Sequence, residues 1–223
     1  MKNNFFVKEN LFSEKEEISE SGKYRLIIEK YKTKEGCWKY SRGRVYNTKN
    51  NSLIADVKMN YHDFPYLFVE NHSDGHDYLI CHEDYQGQTI VQLDTGSRIN
   101  YLPNEANKGV GFCWASYKIS PNKKYLAVNG CVWGGPYEIV IYDFSDPMNL
   151  PYKQLAVDNG YGNEIKYWNE DNSINLAKEV EIRKSDGKRT SELSEEEQDK
   201  ADDELDLDYI DEPFVWHPDL NKC

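Results

Sequence analysis

The chain has no long hydrophobic run and few cysteines, and each absence excludes a class of protein. No apolar stretch approaches the about 20 residues that a membrane-spanning helix needs. The five cysteines are an odd number, lie far apart and form no CxxC pair, which is typical of reduced thiols rather than a disulfide framework. The first residues also lack the apolar core of a secretory signal. We therefore expect an intracellular, cytoplasmic protein that does not bind membranes.

The common catalytic motifs are missing as well. The sequence contains no GxSxG nucleophile turn, no HExxH zinc pattern and no GxGxxG or GxxxxGK[ST] phosphate loop. Cys81 and His82 are adjacent, and in a strand adjacent side chains point to opposite faces, which argues against a Cys–His pair. The sequence thus predicts a protein that is not an enzyme and that holds no cofactor.

Negative charge is plentiful but confined to one segment. The formal net charge is −12, yet residues 192–212 contain twelve acids and one lysine, which leaves 27 acids and 26 bases elsewhere. The body of the chain is therefore close to neutral. A nucleic-acid-binding protein would present a basic face, and since none is evident we expect no nucleic-acid partner.

Three stretches resemble one another, and a fourth begins in the same way. Each has an apolar strand led by tyrosine, a polar or glycine-containing turn and a second strand that ends in Asn or Asp, followed by a short third run. A further strand precedes two of them, which gives four short strands per unit. We predict one all-β domain over residues 1–223, a propeller-like antiparallel meander of three to four units at 22–57, 64–102, 112–157 and 163–184.

The Asn or Asp that ends the second strand recurs at Asn47, Asp94 and Asp143, 47 and 49 residues apart. Its side-chain oxygen can accept a hydrogen bond from a backbone N–H two residues on, which ends the strand in a turn. We therefore interpret these residues as turn formers and not as catalytic acids.

The third unit resembles a known family. Ser120, Pro121 and Asn122 match the turn that joins two inner strands in β-propeller repeats of the tryptophan–aspartate type, and the pair Tyr142-Asp143 matches the aromatic–Asp pair that closes their third strand. The sequence departs from the pattern at Lys123, where a turn glycine is usual. The resemblance is best over 112–157 and implies a propeller fold, but it implies no particular activity.

The acidic segment interrupts the strands. Ser194 and Glu197 have the spacing of a helix capping box, so we predict a short acidic helix or loop in an excursion over 190–204. Leu205, Leu207 and Tyr209 then alternate with acids, which predicts a half-buried returning strand over 205–217. Whether the structure closes alone, through this strand or by dimerisation stays open.

Histidines, aromatic residues and acids are the candidate functional side chains. His62, His72, His76 and His82 fall within 21 residues but match no metal-site spacing, so they are weak metal candidates and we predict no metal site. Rigid aromatic side chains and an acidic patch suit protein binding. The candidate binding residues are Trp114, Trp133, Tyr137, Trp216, Glu195, Glu196, Asp202 and Asp203.

These observations favour a protein-interaction module whose acidic segment attracts a partner protein with a basic surface. Two alternatives stay open. The chain is an inhibitor or immunity-type protein whose acidic segment blocks a basic site, or it is a small metal-dependent hydrolase that uses the histidine-rich segment.

Overall fold

The computed structural model describes residues 5–160 and 162–220, and these residues fold into four antiparallel sheets. Consecutive strands pair with each other within every sheet. The first sheet contains β1 (Leu11–Ile18), β2 (Tyr24–Tyr31), β3 (Tyr40–Asn47) and β4 (Leu53–Met59). The second contains β5 (Leu67–Val69), β6 (Tyr78–Cys81), β7 (Gln88–Gln92) and β8 (Arg98–Tyr101).

The third and fourth sheets complete the described fold. The third sheet contains β9 (Phe112–Ile119), β10 (Tyr125–Val132), β11 (Glu138–Asp143) and β12 (Gln154–Asp158). The fourth contains β13 (Asn163–Trp168), β14 (Ile174–Arg183) and β15 (Leu207–Trp216). Within the described residues the helices are α1 (Glu195–Asp203) and short 3-10 turns at Lys8–Asn10, Asn104–Lys108 and Thr190–Glu192. The prediction of an all-β chain with a short acidic helix is confirmed.

Buried side chains join each sheet to the next one along the chain. One cluster contains Leu26 of the first sheet and Leu79 of the second, and another contains Ile80 of the second sheet and Leu126 of the third. A third cluster joins Ile141 to Leu176 of the fourth sheet. None of these three clusters, which are defined on the described residues, contains side chains of both the first and the fourth sheet. Over residues 5–160 and 162–220 the sheets therefore pack in series, and these buried contacts form no closed ring.

The turn between the first and second strands is built alike in every sheet. Its fourth residue has a positive φ, of 76° at Gly22 and 90° at Gly75. Lys123 and Asn172 occupy the same place with φ of 60° and 62°. Lysine thus adopts the left-handed conformation that glycine adopts in the first two sheets, a conformation that is costly for residues with a Cβ.

Side chains of these turns connect neighbouring sheets. The ammonium group of Lys123 donates hydrogen bonds to the backbone carbonyls of Glu70 and, at 2.9 Å, Asn71 of the second sheet's turn. Asn122 donates to Asn172 of the fourth sheet's turn at 3.0 Å. All of these turns therefore lie at one end of the molecule. Because strands alternate in direction, the connections between second and third strands emerge at the other end.

The predicted Asx turns are confirmed at two of three positions. The side-chain oxygens of Asn47 and Asp143 each accept a hydrogen bond, at 3.0 Å, from the backbone N–H two residues on. Asp94 instead accepts bonds from the backbone N–H of Asp77 at 3.4 Å and from the ring of His76 at 2.6 Å. Asp94 therefore ties together two loops of the second sheet.

The acidic excursion leaves from the end of β14 and returns as β15. The capping box at the start of α1 is present, since the side chains of Ser194 and Glu197 each bind the other's backbone N–H. β15 pairs with β14 along its whole length, as a returning strand should. The predicted burial of alternate residues is wrong, because Leu205 precedes the strand and is 79% exposed, and Tyr209 is 58% exposed. β15 is an edge strand with little of the structure packed against it.

The contact between Gly43 and Phe64 gives a test of the first core cluster. Gly43 lies in β3, and a Cβ placed there would overlap the buried ring of Phe64. We expect Gly43→Ala to destabilise the fold by about 1–3 kcal/mol because the ring must leave its place. Phe64→Leu should relieve the overlap, so that the double variant is more stable than the two single effects predict when added. Urea unfolding of the four proteins measures this, and additive effects would contradict the packing.

Candidate functional site

Four aromatic rings from three sheets meet at the end of the molecule where the second and third strands connect. Trp38, Tyr85 and Trp133 occupy the β2–β3, β6–β7 and β10–β11 connections. Tyr61 comes from the β4–β5 connection, which emerges at the same end. We call these four residues the aromatic cluster.

The rings of the aromatic cluster contact one another in every combination. The centroids of Tyr85 and Trp133 are 5.1 Å apart, and those of Trp38 and Trp133 are 6.3 Å apart. Tyr61 lies 5.7 Å from both tryptophans. Trp38 and Trp133 are each 49% exposed, so about half of each indole faces solvent. Partial burial raises the pKa of Tyr61 and of Tyr85, so both phenols are neutral at physiological pH.

Asn60 fixes the positions of two of these rings. Its backbone carbonyl accepts a hydrogen bond from the indole N–H of Trp38 at 2.6 Å. Its side-chain oxygen accepts one from the backbone N–H of Tyr85 at 3.0 Å, while its amide N–H donates to Asp84 at 2.6 Å. Hydrogen bonds to Asn60 therefore hold the cluster in place together with the ring contacts, and the cluster presents a pre-organised apolar surface.

A shallow groove runs beside the aromatic cluster. It is lined by Cys37, Trp38, Lys39, Tyr61, His62 and Trp133. His62 packs against Tyr61 with ring centroids 4.3 Å apart. Exposed indole faces attract cations as well as apolar groups.

The predicted binding aromatics are distributed over different environments. Trp133 belongs to the aromatic cluster, and Tyr137 is 49% exposed in the same connection. Trp114, also a candidate binding residue, is 5% exposed within the core between the second and third sheets and so presents no exposed ring. Trp216 is partly buried against the core of the fourth sheet. The strand period explains Trp114, which faces the neighbouring sheet from β9.

The four predicted acidic residues lie on α1 and are exposed. They are Glu195, Glu196, Asp202 and Asp203, and within the described residues none of them forms an ion pair. The segment that carries α1 joins β14 to β15, the second and third strands of the fourth sheet. It therefore emerges at the same end of the molecule as the aromatic cluster, where its charge adds a negative field.

Sequence reasoning did not identify Trp38, Tyr61 and Tyr85 as site residues. A signal was present, because Trp38, Tyr85 and Trp133 are 47 and 48 residues apart, close to the spacing of the repeat itself. An aromatic residue thus recurs in the same connection of three successive units. Tyr61 has no such counterpart, and only the packing of the connections brings it to the cluster.

The four clustered histidines are separated in the structure. His72 is buried and its Nε2 bonds the carbonyl of Phe144 at 3.1 Å, while His76 bonds Asp94 on the surface. His82 is buried against Tyr117, and His62 lies beside the aromatic cluster. Over residues 5–160 and 162–220, no three His, Cys, Asp or Glu side chains converge in a way that could hold a metal ion.

His82 lies between the second and third sheets. Its Nδ1 bonds the carbonyl of Gly87, and its Nε2 bonds the hydroxyl of Tyr117. Burial lowers the pKa of His82 to about 4, because the charged ring would lose its hydration. The ring is therefore neutral in the folded protein at physiological pH and links two sheets by uncharged hydrogen bonds.

Comparison with known proteins places the chain in one family. It is 34% identical over 205 residues to the uncharacterized protein R762 of Acanthamoeba polyphaga mimivirus, a match that covers 86% of this chain and 78% of the relative. The chain therefore belongs to the same family as that viral protein. No model of a known protein family matches the chain.

One structural comparison involves a solved structure described as that of the eukaryotic initiation factor. The match covers 96% of this chain and 59% of the other, with 10% identity and a TM-score of 0.35, a likeness too slight to indicate a shared fold. No helix in the described ranges has the length and hydropathy to cross a bilayer.

The low pKa of His82 predicts that the free energy of unfolding depends on pH. Between about pH 6.5, where an unfolded histidine titrates, and pH 4, the unfolded chain binds a proton that the folded chain excludes. Stability should therefore fall as the pH is lowered through this window, by up to about 3 kcal/mol from this group. We expect His82→Gln to be less stable at pH 7 but to lose less stability on acidification, as measured by urea unfolding.

His76→Gln is the matched control for that measurement. Asp94 raises the pKa of His76, so this histidine favours the folded state at low pH, and its removal should not flatten the pH dependence. If His82→Gln shows the same slope as the unaltered protein, His82 does not carry the effect.

Proposed function

We propose that the protein is a non-enzymatic interaction module that binds a segment of a partner protein carrying exposed arginine or lysine. The observation that carries the proposal is the aromatic cluster, where Trp38 and Trp133 are each 49% exposed. Fixed aromatic side chains at the centre of a contact surface contribute much of the binding energy in protein complexes. They lose little conformational entropy on binding because their positions are already set.

The negative charge of α1 indicates that the proposed partner segment is positively charged. α1 presents Glu195, Glu196, Asp202 and Asp203 without ion-pair partners in the described part of the chain, at the same end as the aromatic cluster. Such a field accelerates the encounter with a basic segment and weakens as salt screens it. The acids therefore contribute mainly to the association rate, and the aromatic cluster contributes mainly to the lifetime of the complex.

The scaffold of the proposed module is an open arc of propeller-like blades. Two features support this interpretation: each of the first three sheets is a four-stranded meander, and the first turn of every sheet has the same left-handed fourth residue. In an arc of this kind, the connection between the second and third strands of each blade lies at the same end. The connections that carry Trp38, Tyr85 and Trp133 can therefore meet at the aromatic cluster. The resemblance of residues 112–157 to tryptophan–aspartate repeats agrees with the proposal.

A second candidate function is that of an inhibitor whose acidic segment blocks a basic site, and the four unpaired acids favour it. Deleting 190–204 is a poor test, because Leu193 and Ala201 are 7% and 3% exposed and anchor the segment to the body. Replacing the four acids by their amides removes the charge and leaves the packing in place.

Selection from a displayed library of random short peptides tests the proposal. We expect the enriched peptides to carry lysine or arginine, and we expect the double variant Trp38→Ala, Trp133→Ala to bind them about tenfold more weakly or worse. The variant with Glu195 and Glu196 changed to Gln and Asp202 and Asp203 changed to Asn should associate more slowly and show a weaker salt dependence.

Tyr167→Ala is the matched control, since Tyr167 is 59% exposed on the fourth sheet and lies outside the aromatic cluster. It should leave binding unchanged. Enriched peptides without positive charge, or full binding by the double tryptophan variant, would overturn the proposed function. Loss of binding in the amide variant alone would instead favour the inhibitor.

A further inference from the structure

A cavity of about 280 Å³ lies between the second and third sheets. Its lining includes Gln88, Glu105, Phe112, Trp114, Tyr142 and Tyr152. Val132 also lines it, and the next residue, Trp133, belongs to the aromatic cluster. The cavity therefore lies next to the surface that we propose for partner binding, and the end of β10 separates the two.

Aromatic rings form much of the wall. The centroid of Trp114 lies 5.0 Å from that of Tyr142 and 6.3 Å from that of Tyr152. Burial raises the pKa of Tyr142 to about 12, so its hydroxyl stays neutral. Apolar walls with a few polar groups are typical of sites that bind small ligands or single side chains.

Two polar side chains of the lining, Gln88 and Glu105, can accept hydrogen bonds from a group in the cavity. Gln88 is 7% exposed as a whole residue and lines the cavity, but it is not among the buried polar groups without a partner in the described ranges, which are the side-chain oxygens of Asn129 and Asn163, so its amide is accessible from the cavity. Glu105 is exposed at the rim, and nothing in the described ranges forms an ion pair with its carboxylate. The cavity thus offers carboxylate and amide oxygens as acceptors.

The loop that carries Glu105 is fixed to the second sheet. Gln86 is buried, and its side-chain oxygen accepts a hydrogen bond from the backbone N–H of Gly111 at 2.8 Å. Its amide N–H donates to the carbonyl of Ala106, the residue after Glu105, at 3.4 Å. The cavity wall is therefore built into the fold and does not depend on a ligand to form.

We propose that this cavity binds the guanidinium group of an arginine side chain. A guanidinium ion is planar, stacks on aromatic faces and only donates hydrogen bonds. The aromatic wall offers faces on which the ion can stack, and Glu105 supplies a negative charge to pair with it. The side-chain oxygens of Glu105 and Gln88 can accept its hydrogen bonds. The inference that this arginine belongs to the segment bound at the aromatic cluster rests on the proposed function. The inference that the cavity prefers a guanidinium group does not depend on it.

A small probe tests the cavity without a partner protein. We would label the protein with 5-fluorotryptophan, assign the Trp114 signal with the variant Trp114→Phe and titrate N-acetyl-arginine amide by fluorine NMR. We expect a saturable shift of the Trp114 signal, and no such shift with N-acetyl-citrulline amide, which has nearly the same shape but no charge. Glu105→Gln should weaken binding by about tenfold.

Glu170→Gln is the matched control, because it removes one exposed acid far along the chain from the cavity lining. It should not change the affinity, and neither should Trp133→Ala, which tests the proposed function instead. Equal binding of the citrulline probe, no saturable shift at Trp114, or an unchanged affinity in Glu105→Gln would overturn the assignment. The comparison of the two probes uses the unaltered protein, so it holds even if a variant fails to fold.

Discussion

The burial of one sheet face against the next is the constraint on which the rest of this structure depends. A single sheet of three or four strands, as one unit of a repeating array, cannot bury its hydrophobic face alone. The side chains of Leu26, Ile80 and Ile141 become inaccessible only because a neighbouring sheet covers each of them. This stacking fixes the orientation of every sheet, and so it decides which loops meet at each end.

The two ends of the molecule consequently have different chemistry. At one end, short turns with left-handed residues are joined by polar bonds such as those from Lys123 to the neighbouring turn. At the other end, the aromatic side chains of the connections pack with each other around Asn60. The first end keeps the sheets aligned, and the second exposes about half of the Trp38 and Trp133 side chains.

Much of the fold could be predicted from residue patterns, because strand periodicity and turn formers are local signals. Asn47 and Asp143 form the turns that their types predict, and Ser194 with Glu197 forms the predicted helix cap. The environment of Trp114 could not be predicted, since the face on which it lies becomes buried only through a sheet formed by distant residues. The aromatic cluster could be predicted only in part for the same reason. The regular spacing of Trp38, Tyr85 and Trp133 is present in the sequence, but the position of Tyr61 depends on how the connections pack.

Packing in series also governs how the protein opens. In such an array, stability is a sum of unit and nearest-neighbour terms, so a terminal unit with one neighbour unfolds more readily than an inner one. The fourth sheet, which carries the acidic helix, has its described core contacts with the third sheet, whereas the aromatic cluster draws on the first three. Local unfolding of the fourth sheet would therefore remove the acidic segment and leave the contacts among the aromatic rings in place, whereas unfolding of the first sheet, which is also terminal, would remove Trp38 from the cluster.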